Sequence, residues 1–217
     1  MTLQDKLDAF KAQFKKQAPA EAFAAFHRST QELIETGQAE NALKAGANAP
    51  AFTLTDSDGN EVILRDLLSQ GPVVLTFYRG VWCPYCNLDL QALEEVVDDM
   101  RARGACLLAV SMQGATDSKK SKLDNKLSYP ILTDQGGELA KKFGIRWKLQ
   151  DYVKEFFKMF KVDLPTIHAD GEWNLPMPAR YVIAQDGTIA YAEVNPDYTQ
   201  RPEPTDLLPV LDQLAKK

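Results

Sequence analysis

Cysteine and histidine are scarce in this chain of 217 residues, with three of the first and two of the second. So few soft ligands exclude a disulfide scaffold and leave little for a structural metal centre. Glycine and proline, 12 each, are too few for a collagen-like or low-complexity chain. Long apolar runs are missing as well. The densest, Val73 to Tyr78, is far shorter than a membrane span, and the amino end, Met1-Thr2-Leu3-Gln4-Asp5-Lys6, carries mixed charge and no apolar core of signal-peptide length. Nor is there an excess of positive charge: 25 Lys+Arg against 30 Asp+Glu give −5, which disfavours nucleic acid and anionic membrane surfaces as partners. The basic cluster Lys119-Lys120-Ser121-Lys122 has no interleaved aromatics and reads as a solvated helix face. No glycine-rich phosphate loop and no metal-ligand set is present, so no cofactor and no metal are expected. What remains, 45% hydrophobic and 25% charged, is the balance of a folded protein able to bury a core, expected in the cytoplasm.

Residues 1–45 read as a helical arm. Leu3, Leu7, Phe10 and Phe14 follow three-and-four spacing, Pro19 interrupts, and Phe23, Phe26, Leu33 and Ile34 resume it before Gly46. These stripes require burial, against the main domain or against a second subunit in a homodimer. From residue 46 to 217 the pattern becomes that of one α/β domain. A hairpin is expected from Ala51-Phe52-Thr53-Leu54 and Glu61-Val62-Ile63-Leu64 about the turn Asp56-Ser57-Asp58-Gly59. Val73 to Tyr78 has the continuous apolar character of a strand buried on both faces. A helix from Cys86 to Arg103 and a strand from Ala105 to Val110 complete a right-handed βαβ unit.

Further helices are expected near 117–127 and 136–143, with the strand-like Tyr129-Pro130-Ile131-Leu132 between them. A late hairpin spans Arg180 to Ala184 and Thr188 to Val194, and a last helix runs from Pro204 to Leu214. Between 147 and 173, Leu149, Tyr152, Val153, Phe156, Phe157 and Phe160 recur at helical spacing, forming an aromatic insert expected to pack into the core, with a lid over the cysteines or a dimer contact as the alternatives. The order predicts a central mixed sheet with helices on both faces.

Chemistry concentrates in Arg79-Gly80-Val81-Trp82-Cys83-Pro84-Tyr85-Cys86, between the buried strand and the long helix. The carboxyl end of a strand is where α/β proteins place their sites. Pro84 suits the first helical position and Cys83 the cap, so the free amides of Tyr85 and Cys86 and the positive helix end favour a Cys83 thiolate. Arg79 adds a positive charge. Cysteines three apart at a helix start can reach disulfide range, which makes reversible redox chemistry accessible. The competing reading, half of a zinc site, lacks a second Cys-x-x-Cys; Cys106 lies in an apolar strand, as a small buried hydrophobe does, and His27 and His168 are scattered.

The stretches Ala49-Pro50-Ala51-Phe52-Thr53-Leu54, Val73 to Gly80, Trp82-Cys83-Pro84-Tyr85-Cys86-Asn87-Leu88 and Pro178-Ala179-Arg180-Tyr181-Val182-Ile183 resemble the peroxiredoxin-like branch of the alkyl hydroperoxide reductase and thiol-specific antioxidant family. The resemblance covers roughly residues 46 to 195. It implies a thioredoxin-like fold, here with an amino-terminal helical extension. It also implies a thiolate that attacks a hydroperoxide, becomes a sulfenic acid, and is resolved to a disulfide that a thioredoxin-like or small-thiol reductant restores.

Laid on the peroxiredoxin motif, Cys86 takes the attacking position, Cys83 stands where a hydroxyl residue belongs and Arg79 where a proline belongs. Laid on thioredoxin, Cys83 attacks and Cys86 resolves. Both assignments stay open at this stage. The resemblance further implies an arginine from a later strand near the sulfur, for which Arg180 is the candidate, and a cis-proline facing the sulfurs, for which Pro178 is. Trp82 and Tyr85 are expected to line the pocket. Thiol peroxidase activity is the leading expectation. A protein disulfide oxidoreductase and a non-catalytic redox sensor are the alternatives.

Overall fold

A computed structural model describes residues 1–168 and 170–216. The arm forms α1 (Leu3–Gln17) and α2 (Ala20–Glu35), parted at Pro19, and Thr2 and Asp5 cap the start of α1 reciprocally. Next come β1 (Thr53–Asp56), β2 (Glu61–Ile63), α3 (Leu64–Leu68) and β3 (Val73–Phe77). Two helices, α4 (Pro84–Glu94) and α5 (Val97–Arg101), lead to β4 (Cys106–Ser111), and α6 (Ala115–Asp124) leads to β5 (Ile131–Thr133). Then follow α7 (Glu138–Lys142), β6 (Arg146–Lys148), α8 (Asp151–Met159), α9 (Leu164–His168) and β7 (Asn174–Pro176). The chain closes with β8 (Ala179–Ile183), β9 (Ile189–Val194), a 3₁₀ turn over Pro204–Leu207 and α10 (Leu208–Leu214).

Seven strands make one sheet in the order β2-β1-β5-β4-β3-β8-β9, and β6 pairs with β7 in a separate ribbon. The β3-α4-α5-β4 segment is the expected parallel unit, in register Val73 with Cys106 through Phe77 with Val110. On its other side β3 pairs antiparallel with β8, so it lies in the interior of a mixed sheet. Side chains alternate as a strand covered on both faces requires. Val74 and Val182 face the core shared with α1, α4, α5 and α10, while Val73, Leu75, Phe77, Tyr181 and Ile183 face the core under α3 and α7. The arm belongs to this packing within the same chain. Leu3 and Leu7, 2% and 0% exposed, sit in the α4 core. Burial of each contributes about 1.5–3 kcal/mol towards docking α1.

Several boundaries differ from expectation. The helix expected from Cys86 to Arg103 is two, broken at Glu95-Val96, where Val96 leaves helical geometry and lets Val97 and Met100 turn into the core that Leu90 and Leu93 already fill. Leu64 starts α3 instead of ending the strand. The segment from Gly136 opens with a 3₁₀ turn because Gly136 and Gly137 have φ of 71° and 67°, outside right-handed helix geometry. Ile34 is 42% exposed, one step round the helix from the buried Leu33. Cys106, at the first position of β4, is half-buried against the α3/α7 core.

Candidate active site

The buried strand β3 delivers the loop from Arg79 to Trp82 and then the start of α4 at the sheet's carboxyl edge. Tyr78 continues the ladder through its amide to the Val110 carbonyl at 3.0 Å. Gln113, just after β4, fastens the loop: its Oε1 accepts from the Val81 amide at 2.8 Å and its Nε2 donates to the Tyr78 hydroxyl at 2.7 Å. Asn87 reaches back from α4 to the Val81 carbonyl at 2.9 Å. Gly80 is demanded by this path. Its φ is 144°, and a Cβ there would stand 2.5 Å from Trp82 Nε1.

Cys83 caps α4 and Pro84 takes its first position, as expected. The two sulfurs are 2.9 Å apart in the dithiol form, with the Cys86 thiol donating to Cys83. Both are buried, at 1% and 0% exposure. Burial alone would raise the Cys83 pKa. The thiol of Cys86 and the charges of Arg79 and Arg201 overcome it and hold Cys83 below the ordinary thiol value. Cys86 goes the other way, pushed up by burial and by its neighbour's sulfur. The side chain of Arg79 is itself buried, its guanidinium carbon 4.0 Å from the Tyr198 ring centroid and 4.9 Å from that of Trp82. Packing against the two ring faces desolvates the charge without neutralising it.

Above Cys83 lies a cavity of about 260 Å³ lined by Phe10, Phe14, Phe26, Arg79, Trp82, Cys83, Pro84, Tyr85, Phe157, Phe160, Val162 and Tyr198. Trp82 and Tyr85 therefore line the pocket. The aromatic insert both packs into the core and covers the site. Phe157 is buried against Trp82, centroids 5.3 Å apart, while Phe160, 39% exposed, stacks with Phe14 and Phe26 of the arm to roof the cavity.

Two expected residues sit elsewhere. Arg180 does not reach either sulfur, because from β8 its guanidinium is taken by the Asp89 carboxylate at 2.5 Å and the Pro202 carbonyl at 3.1 Å. Pro178 is not cis, since the described residues contain no cis peptide bond. Pro178, between β7 and β8, borders the space beside Arg79 and Tyr198. The guanidinium that does reach a sulfur is that of Arg201, 3.6 Å from Cys86 Sγ. Arg201, Asp89, Tyr198 and Gln113 are site residues that sequence reasoning misses. Asp89 alone gives a signal, as a carboxylate one turn after Cys86 on an otherwise apolar helix face.

A family model for the AhpC/TSA family matches residues 45–192. The chain belongs to the AhpC/TSA family. Among similar curated proteins, peroxiredoxin Bcp of Escherichia coli (strain K12) is 28% identical over 133 residues, covering 61% of this chain and 83% of that protein. The thiol-disulfide oxidoreductase ResA of Bacillus thuringiensis subsp. konkukian is 28% identical over 107 residues, 49% of this chain and 61% of its own length. Peroxiredoxin Q, chloroplastic, of Triticum aestivum is 30% identical over 128 residues, 59% of this chain and 58% of its own. The chain thus spans about three fifths of the length of these last two relatives. Among solved structures, peroxidoxin BcpB from Mycobacterium tuberculosis superposes with a TM-score of 0.63 at 22% identity, over 79% of this chain and 97% of that one. The fold is thioredoxin-like, as expected, with the arm added in front.

Proposed function

We propose that this chain is a thiol-dependent peroxidase that reduces hydroperoxides through a Cys83/Cys86 dithiol–disulfide cycle. The observation that carries the reading is the geometry of the pair. Cys83 floors the cavity, flanked by the buried guanidinium of Arg79, and the Cys86 thiol waits 2.9 Å behind it. The Cys83 thiolate attacks the terminal oxygen of the hydroperoxide. A sulfur–oxygen bond forms, the oxygen–oxygen bond breaks, and the leaving oxyanion takes a proton from solvent, departing as the alcohol or, from hydrogen peroxide, as water. Cys86 then attacks the sulfenic acid. The disulfide forms and the hydroxyl departs as water with the Cys86 proton. Two external thiols, from a small-molecule thiol or a thioredoxin-like protein, return the pair to the dithiol. A reducing compartment such as the cytoplasm suits that resting state. Among the described residues no helix is long and apolar enough to cross a membrane.

Protein disulfide exchange is the second reading, favoured by the Cys-x-x-Cys at the head of α4 and by the likeness to ResA. The peroxidase reading ranks above it because the cavity over Cys83, roofed by α1, α2 and α8, has the size of a small molecule. A redox sensor without turnover is the third. Stopped-flow oxidation by hydrogen peroxide and by an organic hydroperoxide separates the three. The expected result is that Cys86→Ser consumes one equivalent and accumulates sulfenic acid, that Cys83→Ser is inert, and that the wild type turns over when a thiol is supplied. If all three react no faster than a free small-molecule thiol, the peroxidase reading fails and disulfide exchange leads.

A further inference from the structure

Behind Cys86 lies a buried ionic triad that none of the steps above uses. Asp89 is 2% exposed and is gripped from both sides, by Arg180 Nη2 at 2.5 Å on Oδ1 and by Arg201 Nε at 3.3 Å on Oδ2. The two remaining faces of the Arg201 guanidinium are also committed. Nη1 donates to the carbonyls of Tyr198 and Gln200 at 2.8 and 2.7 Å, and Nη2 points at Cys86 Sγ at 3.6 Å. A buried arginine with each guanidinium nitrogen engaged is a preorganised donor.

The segment that carries it is held by the amino-terminal helix. Gln4 Oε1 accepts from the Arg201 amide at 3.2 Å, and Gln4 Nε2 donates to the Thr199 carbonyl at 3.3 Å. Lys11 donates to the Thr199 hydroxyl at 3.1 Å, and the Leu3 amide donates to the Glu203 carboxylate at 2.7 Å. The arm thus grips the chain on both sides of Arg201, from the opposite end of the sequence.

We infer that Arg201 is the catalytic group that receives the charge of Cys86 when the Cys83–Cys86 disulfide is opened, and that Asp89 and Gln4 are the positioning residues that keep it there. The inference rests on the reading that the pair cycles through a disulfide. In the step concerned, an incoming thiolate attacks Cys83. A new sulfur–sulfur bond forms to Cys83, the Cys83–Cys86 bond breaks, and the electron pair passes to Cys86 as a thiolate. A second thiolate then releases Cys83. The first departure is the costly one, because Cys86 is buried at 0% exposure and burial disfavours its thiolate. The charged and titratable groups facing it are Cys83, Arg79, Arg201 and the Tyr78 hydroxyl, with Asp89 behind the arginine.

The test forms the disulfide with diamide, which needs no peroxide, and times its reduction by dithiothreitol in the full chain. Arg201→Met is expected to slow reduction by about tenfold to hundredfold, the worth of a charge-assisted hydrogen bond to the departing group, and Arg201→Lys to recover much of it. Asp89→Asn and Gln4→Ala are expected to slow it by several fold. In a Cys83→Ser background, the pH midpoint for alkylation of Cys86 is expected to rise in Arg201→Met and to return towards the parent in Arg201→Lys, a pattern that loss of packing alone does not produce. Wild-type reduction rates and an unmoved pH midpoint in Arg201→Met overturn the inference. If that variant does not fold, unchanged rates in both Asp89→Asn and Gln4→Ala overturn it equally. A chain in which diamide forms no Cys83–Cys86 disulfide removes the underlying reading and the inference together. A chain inert to peroxide that still shows the Arg201 effect removes only the peroxidase reading.

Discussion

The guanidinium of Arg79 stacks on the Tyr198 ring at 4.0 Å, a charge from the active-site loop held by an aromatic from the far end of the chain. Its field falls on Cys83. Replacing Arg79 by Met is expected to move the pH midpoint for alkylation of Cys83 upward and to slow alkylation at pH 7 by about threefold to tenfold. Lysine, lacking the planar face that stacks, restores only part of the effect. Iodoacetamide rates across pH 5 to 9, in each variant, check this; a midpoint unmoved in Arg79→Met shows that the thiolate is held by Arg201 and Cys86 alone.

Gly80→Ala forces a side chain into φ of 144° and against Trp82. A loss of about 1–3 kcal/mol is expected from the backbone alone. Denaturant unfolding gives the loss, and the Cys83 alkylation rate reports whether the loop has shifted. A variant within about 0.5 kcal/mol of wild type, no more than an ordinary surface substitution costs, contradicts the strain.

His168 is 1% exposed with neither ring nitrogen hydrogen-bonded among the described residues. Burial pushes its pKa down to about 4 from an ordinary value near 6.5, with Asp170 pulling the other way. The unfolded chain takes up this proton as pH falls through 6.5, while the folded chain resists until about 4. The stabilising contribution is therefore complete above 6.5, drains away between those values, and amounts to on the order of 3 kcal/mol. Subtracting the pH–stability curve of His168→Leu from that of wild type isolates it. A difference that is flat from pH 7 to 4 contradicts the burial of a neutral imidazole.

Phe160 roofs the cavity from the end of α8 and is 39% exposed. Phe160→Ala is expected to cost about 1 kcal/mol of stability, because the ring is only partly buried. It is also expected to raise the reactivity of Cys83 towards a bulky aromatic disulfide severalfold more than towards iodoacetamide. Equal changes for the two reagents show that the roof does not limit access.

The core chemistry is legible in the sequence because it is contiguous. Arg79, Trp82, Cys83, Pro84, Tyr85 and Cys86 lie in one run of eight residues, and the alternation and apolar density around them place the run at a strand end before a helix. The partners that tune it are not legible. Tyr198 and Arg201 sit in a stretch after β9 with no periodicity, and only tertiary packing carries that stretch under α4. Arg180 is expected at the sulfur because the family resemblance implies an arginine from that strand. Asp89, rising from α4 between the two arginines, captures it first. The split of the helix at Val96 is hidden for a related reason: the apolar spacing continues across the break, because both halves serve one core.

The grip of α1 on Thr199 to Glu203 also sets an order in time. During synthesis the arm emerges before the strand leading to the two cysteines, and Arg201 follows Cys86 by 115 residues. Until it arrives, a ribosome-bound chain has both sulfurs and no guanidinium behind Cys86, and Gln4 has nothing to clasp. The nascent protein therefore passes through an interval in which its thiols lack their finished charge environment, and it gains that environment only when α1 closes on the stretch from Thr199 to Glu203.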